Sequence, residues 1–269
     1  MFADCFHIAV LVTAGTLLIG GGCEGGAEEE TKGATELEVE SYTVSGRAEN
    51  LEEKAPIGML VTVSGEYCVP DDTDAAGAFF VEGVERGDKR LISYGETASN
   101  GLFASVALPI SVTQDLELDF TVLSPALSER YPVDTSGQEP IKVESLDGLL
   151  LEFQADSLTI APFMPAEIQV ARIPLEKTPA FVPEGVSLDG LFVLHPIRST
   201  FDTAATLAFP PLDNVEAGTS LVFYTLDYDT GWLKEVASGT IDTDGRPRTN
   251  PGEGIFELTW VGIALEKKK

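Results

Sequence analysis

The chain is poor in the side chains that most chemistry requires. It holds three cysteines and two histidines in 269 residues. That leaves little material for a zinc site, and it excludes a Ser-His-Asp set with a histidine to spare. Lys and Arg total 17 against 44 Asp and Glu, a formal charge of −27. A nucleic-acid binder needs cations to displace phosphate counterions, so that function is excluded. Adhesion to anionic lipid through a basic patch is excluded on the same ground. No apolar run reaches the roughly 20 residues of a membrane-spanning helix, and no long window shows a capped 3.6-residue period. Gly-x-Ser-x-Gly, P-loop and dinucleotide fingerprints are missing as well.

What is present starts with residues 8–20, thirteen apolar or small residues (IAVLVTAGTLLIG). That length fits the core of a secretory signal peptide. Gly20, Gly21 and Gly22 follow, then Cys23 and a polar tract. Small residues ending in Cys behind a signal core resemble the lipobox of bacterial lipoproteins. Two features depart from that pattern: residues 1–7 carry no Lys or Arg, and Gly20 stands where the family usually has Leu. The resemblance implies cleavage before Cys23 and lipidation of its thiol and amine. Several acyl chains on one residue make a stable anchor. An ordinary secretory signal cut among the glycines is the alternative.

Residues 23–54 carry ten acids against three bases, and 23–37 reads as a flexible acidic tether. Loss of residues 1–22 would remove Cys5 and His7, leaving Cys23, Cys68 and His195. With Cys23 lipidated, Cys68 reads as a small packing residue. With Cys23 free, a Cys23–Cys68 bridge is the only mature pairing. Lys267, Lys268 and Lys269 make a short basic tail, 266–269, that reads as a frayed end.

From residue 38 onward, short runs of period two are bounded by Gly, Pro, Asp and Asn, which predicts an all-β fold. Expected strands are 38–47, 59–64, 78–82, 89–94, 102–112 and 116–123. A second set is 149–153, 167–173, 191–194, 205–209, 221–226, 232–238 and 255–264. Thirteen short strands suggest two small antiparallel β-sandwiches in tandem, at 38–124 and 141–265, joined by a polar, Pro-flanked linker at 125–140.

In the first set, Val44-Ser45-Gly46-Arg47, Ala55-Pro56-Ile57-Gly58, Val61-Thr62-Val63, Thr73-Asp74-Ala75-Ala76-Gly77-Ala78-Phe79 and Gly83-Val84-Glu85-Arg86-Gly87 occur in order. This order resembles the carboxypeptidase-regulatory-like family, a prealbumin-type sandwich that serves as a non-catalytic accessory module. In the second set, Leu194-His195-Pro196-Ile197, the run from Phe201 to Pro210, Leu221-Val222-Phe223-Tyr224, Asp229-Thr230-Gly231-Trp232 and Gly254-Ile255-Phe256-Glu257-Leu258 resemble the ZU5-type sandwich. Gln154-Ala155-Asp156-Ser157 replaces that family's Pro-Gly step. The resemblance implies binding or scaffolding.

Asp229-Thr230-Gly231 matches the aspartic-protease tripeptide. Such catalysis needs two carboxylates sharing a proton, and no second copy exists. Asp72 with Asp74 and Asp227 with Asp229 are candidate calcium ligands, and also ordinary hairpin-turn acids. EF-hand spacing fails at Ala76 and Gly83. His195 reads as a packed residue at a strand end.

The expectation is a non-enzymatic, lipid-anchored, extracytoplasmic protein of a bacterial cell envelope, at the outer membrane or cell surface. It would bind a protein or glycan partner, hold its membrane through the lipid on Cys23, and need no cofactor. Two alternatives stay open: a calcium-stabilised adhesion module, and a hydrolase built on clustered Asp and Glu.

Overall fold

The computed structural model describes residues 40–137 and 139–266. The expected signal peptide, the tether, Cys23 and the three terminal lysines lie outside the described residues.

The described chain is all-β, as the period-two pattern requires. Eight strands form the first set: β1 (Ser41–Glu49), β2 (Leu60–Ser64), β3 (Cys68–Asp72), β4 (Ala78–Glu85), β5 (Gly87–Tyr94), β6 (Val106–Val112), β7 (Leu116–Glu117) and β8 (Val122–Leu123). Twelve form the second: β9 (Glu129–Pro132), β10 (Pro140–Glu144), β11 (Leu150–Gln154), β12 (Leu158–Thr159), β13 (Glu167–Arg172), β14 (Gly190–His195), β15 (Thr200–Ala208), β16 (Ser220–Asp227), β17 (Trp232–Ile241), β18 (Pro247–Thr249), β19 (Ile255–Glu257) and β20 (Trp260–Leu265). Three single 3₁₀ turns are the helical content of the described residues. None of their helices is long and apolar enough to cross a membrane.

The first set makes two four-stranded sheets, one ordered β4-β1-β7 with β8 also on β1, the other β3-β2-β5-β6. Val61, Val63, Leu91, Val106 and Leu108 share one face of the second sheet, in register across β2, β5 and β6, and all are buried. Asp74 and Gly77 make the turn between β3 and β4. The Asp74 carboxylate accepts the N–H groups of Ala76 and Ala78 at 2.8 and 2.9 Å. Gly77 has φ +78° and packs on the Ala48 carbonyl, so a Cβ there would be strained and would collide.

The second set runs β10-β11-β15-β18-β17-β16-β20-β14-β13-β9 through one sheet. Its two ends approach each other: the Leu146 N–H, just after β10, donates to Glu129 Oε2 on β9 at 3.1 Å. Phe192, Phe209 and Phe223 stack edge-on inside it, with centroids 5.3 and 5.8 Å apart. The stretch 125–140, expected to be a polar linker, carries β9, which pairs antiparallel with β13. Its polar residues suit an edge strand, where one side of each residue stays wet.

Strands β14, β16 and β20 form a wall buried on both faces. Phe192, Leu194, Phe223, Val261 and Ile263 point into the core of the second set. Leu191, Val193, Leu226 and Trp260 point the other way, into a core shared with Ile92 and Ala107 of the first set. Residues 41–266 therefore fall within one compact unit.

Candidate functional site

The shared core is held at one backbone atom. The Ser105 carbonyl accepts two buried hydrogen bonds, from Tyr228 Oη and from Trp260 Nε1, each 2.7 Å. Phe181 meets the Trp260 ring edge-on at 5.1 Å. Burial drives the Tyr228 hydroxyl well above its ordinary pKa, so it stays a donor. Ser105 is itself fixed: its Oγ accepts the Gly95 N–H at 2.9 Å and donates to Glu96. Farther out, Arg90 Nη1 donates to the Tyr228 carbonyl at 2.8 Å and Lys177 Nζ to the Leu51 carbonyl at 2.8 Å. At φ +74°, Gly231 closes the turn before β17, and a Cβ on it would sit 2.9 Å from the Pro109 nitrogen. Only glycine lets the turn approach β6 so closely.

Beside this seam lies a groove of about 540 Å³. Both strand sets line it: Ser64, Asp88, Lys89, Arg90 and Ser111 on one side, Asp229, Thr230 and Trp232 on the other. Trp232 is 41 % exposed, whereas Trp260 is fully buried. A second groove, about 730 Å³, runs along β1 and β4 and is lined by Asp71, Asp72, Asp74, Glu117 and Asp119 with Arg47 and Phe80. Asp71 caps the edge of β4, accepting the Phe80 N–H at 2.5 Å. That bond occupies a donor that would otherwise invite another strand.

The four candidate calcium ligands do not converge. Asp72 and Asp74 sit at the β3–β4 turn, in the larger groove; Asp227 and Asp229 sit at the β16–β17 hairpin. Among the described residues no three His, Cys, Asp or Glu side chains gather so as to hold a metal. Asp74 is occupied by its turn. Burial works against charge on Asp227. The N–H groups of Asp229 and Thr230 and the Lys234 ammonium outweigh it and hold the carboxyl below its usual range. Because the Asp74 and Asp227 carboxylates already accept backbone N–H groups and the two pairs lie apart, millimolar calcium is expected to leave the melting midpoint unmoved relative to chelator. A calcium-dependent rise in a calorimetric scan would contradict this placement.

Asp229-Thr230-Gly231 is that same hairpin turn, with the Gly231 N–H donating to the Asp227 carbonyl at 2.7 Å. His195 ends β14, 1 % exposed, and neither ring nitrogen meets a hydrogen-bond partner in the protein. Desolvation pushes its pKa down to about 4. Gln169 lies opposite on β13, and its Oε1 is likewise unpartnered. Cys68, half-buried on β3, is disulfide-bonded, which corrects its reading as an isolated packing thiol. The other two cysteines, Cys5 and Cys23, lie outside the described residues.

No protein-family model matches the chain, and no curated protein matches it. Among solved structures it is similar to the Bacillus anthracis TIE protein, at 10 % identity and a TM-score of 0.26, over 84 % of this chain and 46 % of that one. The chain thus spans less than half of that protein. A DUF3823 family protein from Parabacteroides merdae matches at 5 % identity and a TM-score of 0.27, over 84 % of this chain and 98 % of that one. BcpA, the major pilin subunit of Bacillus cereus, matches at 12 % identity and a TM-score of 0.25, over 84 % and 96 %.

The sequence did not single out Ser105, Tyr228, Trp260 or the exposure of Trp232. The seam bonds join residues 123 and 155 positions apart, beyond any local pattern.

Proposed function

We propose that the chain is a lipid-anchored, non-catalytic binding or scaffolding module of a bacterial cell envelope, extracytoplasmic, that presents fused β-sandwiches to a protein or glycan partner. The first set would be the carboxypeptidase-regulatory-like module and the second the ZU5-like one. The observation that carries this reading is the double hydrogen bond on Ser105, which binds two strand sets into one unit with an open groove beside the seam. Elements that are rigid before binding lose little entropy on binding, which suits a presenting platform. Of the carboxylates that suggested calcium or acid–base chemistry, those of Asp74 and Asp227 hold turns. For attachment, the support is the apolar run 8–20, the glycines, Cys23 and the acidic tether. Negative charge keeps such an ectodomain off an anionic surface, so the lipid must supply the adhesion.

A lipid thioether on Cys23 would exclude that sulfur from a disulfide with Cys68. The protein is expected to incorporate a palmitate analogue in bacteria and to lose that label in Cys23→Ser. Equal labelling of Cys23→Ser, or a Cys23–Cys68 disulfide in the mature chain, would sink the anchor.

A further inference from the structure

We infer that the groove beside the seam is a binding subsite for a neutral oligosaccharide. The inference rests on the reading of the chain as a binding module and names its ligand class. At about 540 Å³ the groove lies in the usual range of small-ligand sites.

Three observations point to this ligand. The first is Trp232. It opens β17 with 41 % of its surface in solvent, while Trp260 is fully buried. The hairpin does not need an indole there, since Asp227 and Gly231 make the turn. An exposed indole beside polar side chains offers a large apolar face with a polar handle.

The second observation is charge. The lining carries Asp88 and Asp229 with Lys89 and Arg90, and Lys89 also lies 3.8 Å from Glu85, so the groove is close to neutral in a chain whose formal charge is −27. A strongly basic or acidic peptide gains little net Coulomb attraction here. A neutral ligand bearing both donors and acceptors does find complements. Carboxylates accept, the guanidinium donates, and Ser111 and Thr230 do both. A pyranose matches that set: its hydroxyls donate and accept, and its C–H face is apolar enough to lie on an indole.

The third is preorganisation. Arg90 is held by the Tyr228 carbonyl at 2.8 Å and lies 3.7 Å from the Asp229 carboxylate. The Asp229 N–H is fixed on Asp227 at 2.8 Å. Polar groups already held in place cost little to order around a ligand.

The test is a titration of the mature protein with cellohexaose, maltohexaose, mannohexaose and N-acetylchitohexaose. It is read by iodide quenching of tryptophan fluorescence and by calorimetry. Because Trp260 is buried, the quenchable signal belongs to Trp232. At least one sugar is expected to saturate, to shield Trp232 from iodide, and to bind at least about tenfold more weakly to Trp232→Ala. Trp232→Phe, which keeps a ring, should retain part of the affinity, and both variants should melt with the wild type. If no sugar shields Trp232 at about 10 mM, well above ordinary dissociation constants, or if Trp232→Ala binds as well as wild type, the subsite is overturned. Failure of the subsite with intact Cys23 labelling would leave the anchored module standing. Cleavage of the bound sugar would confirm the subsite and overturn the non-catalytic reading.

Discussion

Replacing Trp260 with alanine is expected to cost about 4 kcal/mol and to split unfolding into two transitions. Truncating a buried Trp typically costs about 3–5 kcal/mol, because contacts vanish and the surroundings relax only in part. Trp260 is fully buried, packs on Phe181, and supplies one of the two donors to the Ser105 carbonyl. The lost contacts lie on the face of β20 that meets the first set; the opposite face, with Val261 and Ile263, keeps the second set's core. The second set should therefore survive with its own core while the coupling between the sets weakens. Trp260→Phe keeps most of the apolar contact and loses one hydrogen bond, a loss of about 1 kcal/mol by itself. Urea denaturation followed by circular dichroism and by fluorescence would show the difference. Coincident, single transitions in Trp260→Ala, at an unshifted midpoint, would contradict the account.

Acid is expected to weaken the protein between pH 6.5 and 4 through one residue, His195. Burial leaves the folded imidazole with a pKa of about 4, against 6.5 for the free side chain. Above pH 6.5 neither state binds the proton, and stability is full. Between the two values only the unfolded chain takes it up, so stability falls as pH falls, by about 1.4 kcal/mol per unit and about 3 kcal/mol in all. Below pH 4 both states are protonated and the slope ends. Glu257 works against this, since burial raises its pKa and the folded state takes its proton early. No other histidine lies in residues 23–269. His195→Leu should flatten the slope across that window. It should also equal or exceed the wild type at pH 7, because it removes two unpartnered buried nitrogens. An unchanged slope in chemical denaturation at stepped pH would show that desolvation of His195 is not the cause.

Local pattern carried much of the fold. The runs at 191–194, 221–226 and 255–264 were legible as strands. They became β14, β16, β19 and β20, and three of these form the wall between the two cores. What covers the outer face of that wall could not be read, because much of the cover comes from the first set, far away in the sequence. The misplaced elements have specific causes. β3 contains Pro70 and ends in Asp71 and Asp72, which disguise an edge strand as a turn. β9 and β10 are polar and bracketed by proline for the same reason. The run 102–112 begins its strand only at Val106, because Leu102–Ser105 bend to bring the Ser105 carbonyl to Tyr228 and Trp260. The run 255–264 breaks at Leu258, whose N–H donates to Ser199 as the chain changes partners from β15 to β14 and β16. The candidate ligands also read in advance as hairpin-turn acids, and Asp74 and Asp227 hold turns. Trp232 was visible as a strand residue, but its exposure depends on the neighbouring set.

The two strand sets are expected to open as one body. Native-state hydrogen exchange, followed by mass spectrometry on peptides from β5, β6, β14 and β20, tests it most directly. The account predicts that the slowest amides of both sets exchange with one common free energy, equal to that of global unfolding, and share the same denaturant dependence. Exchange of β5 and β6 at a distinctly lower free energy, with β14 and β20 still protected, would contradict it.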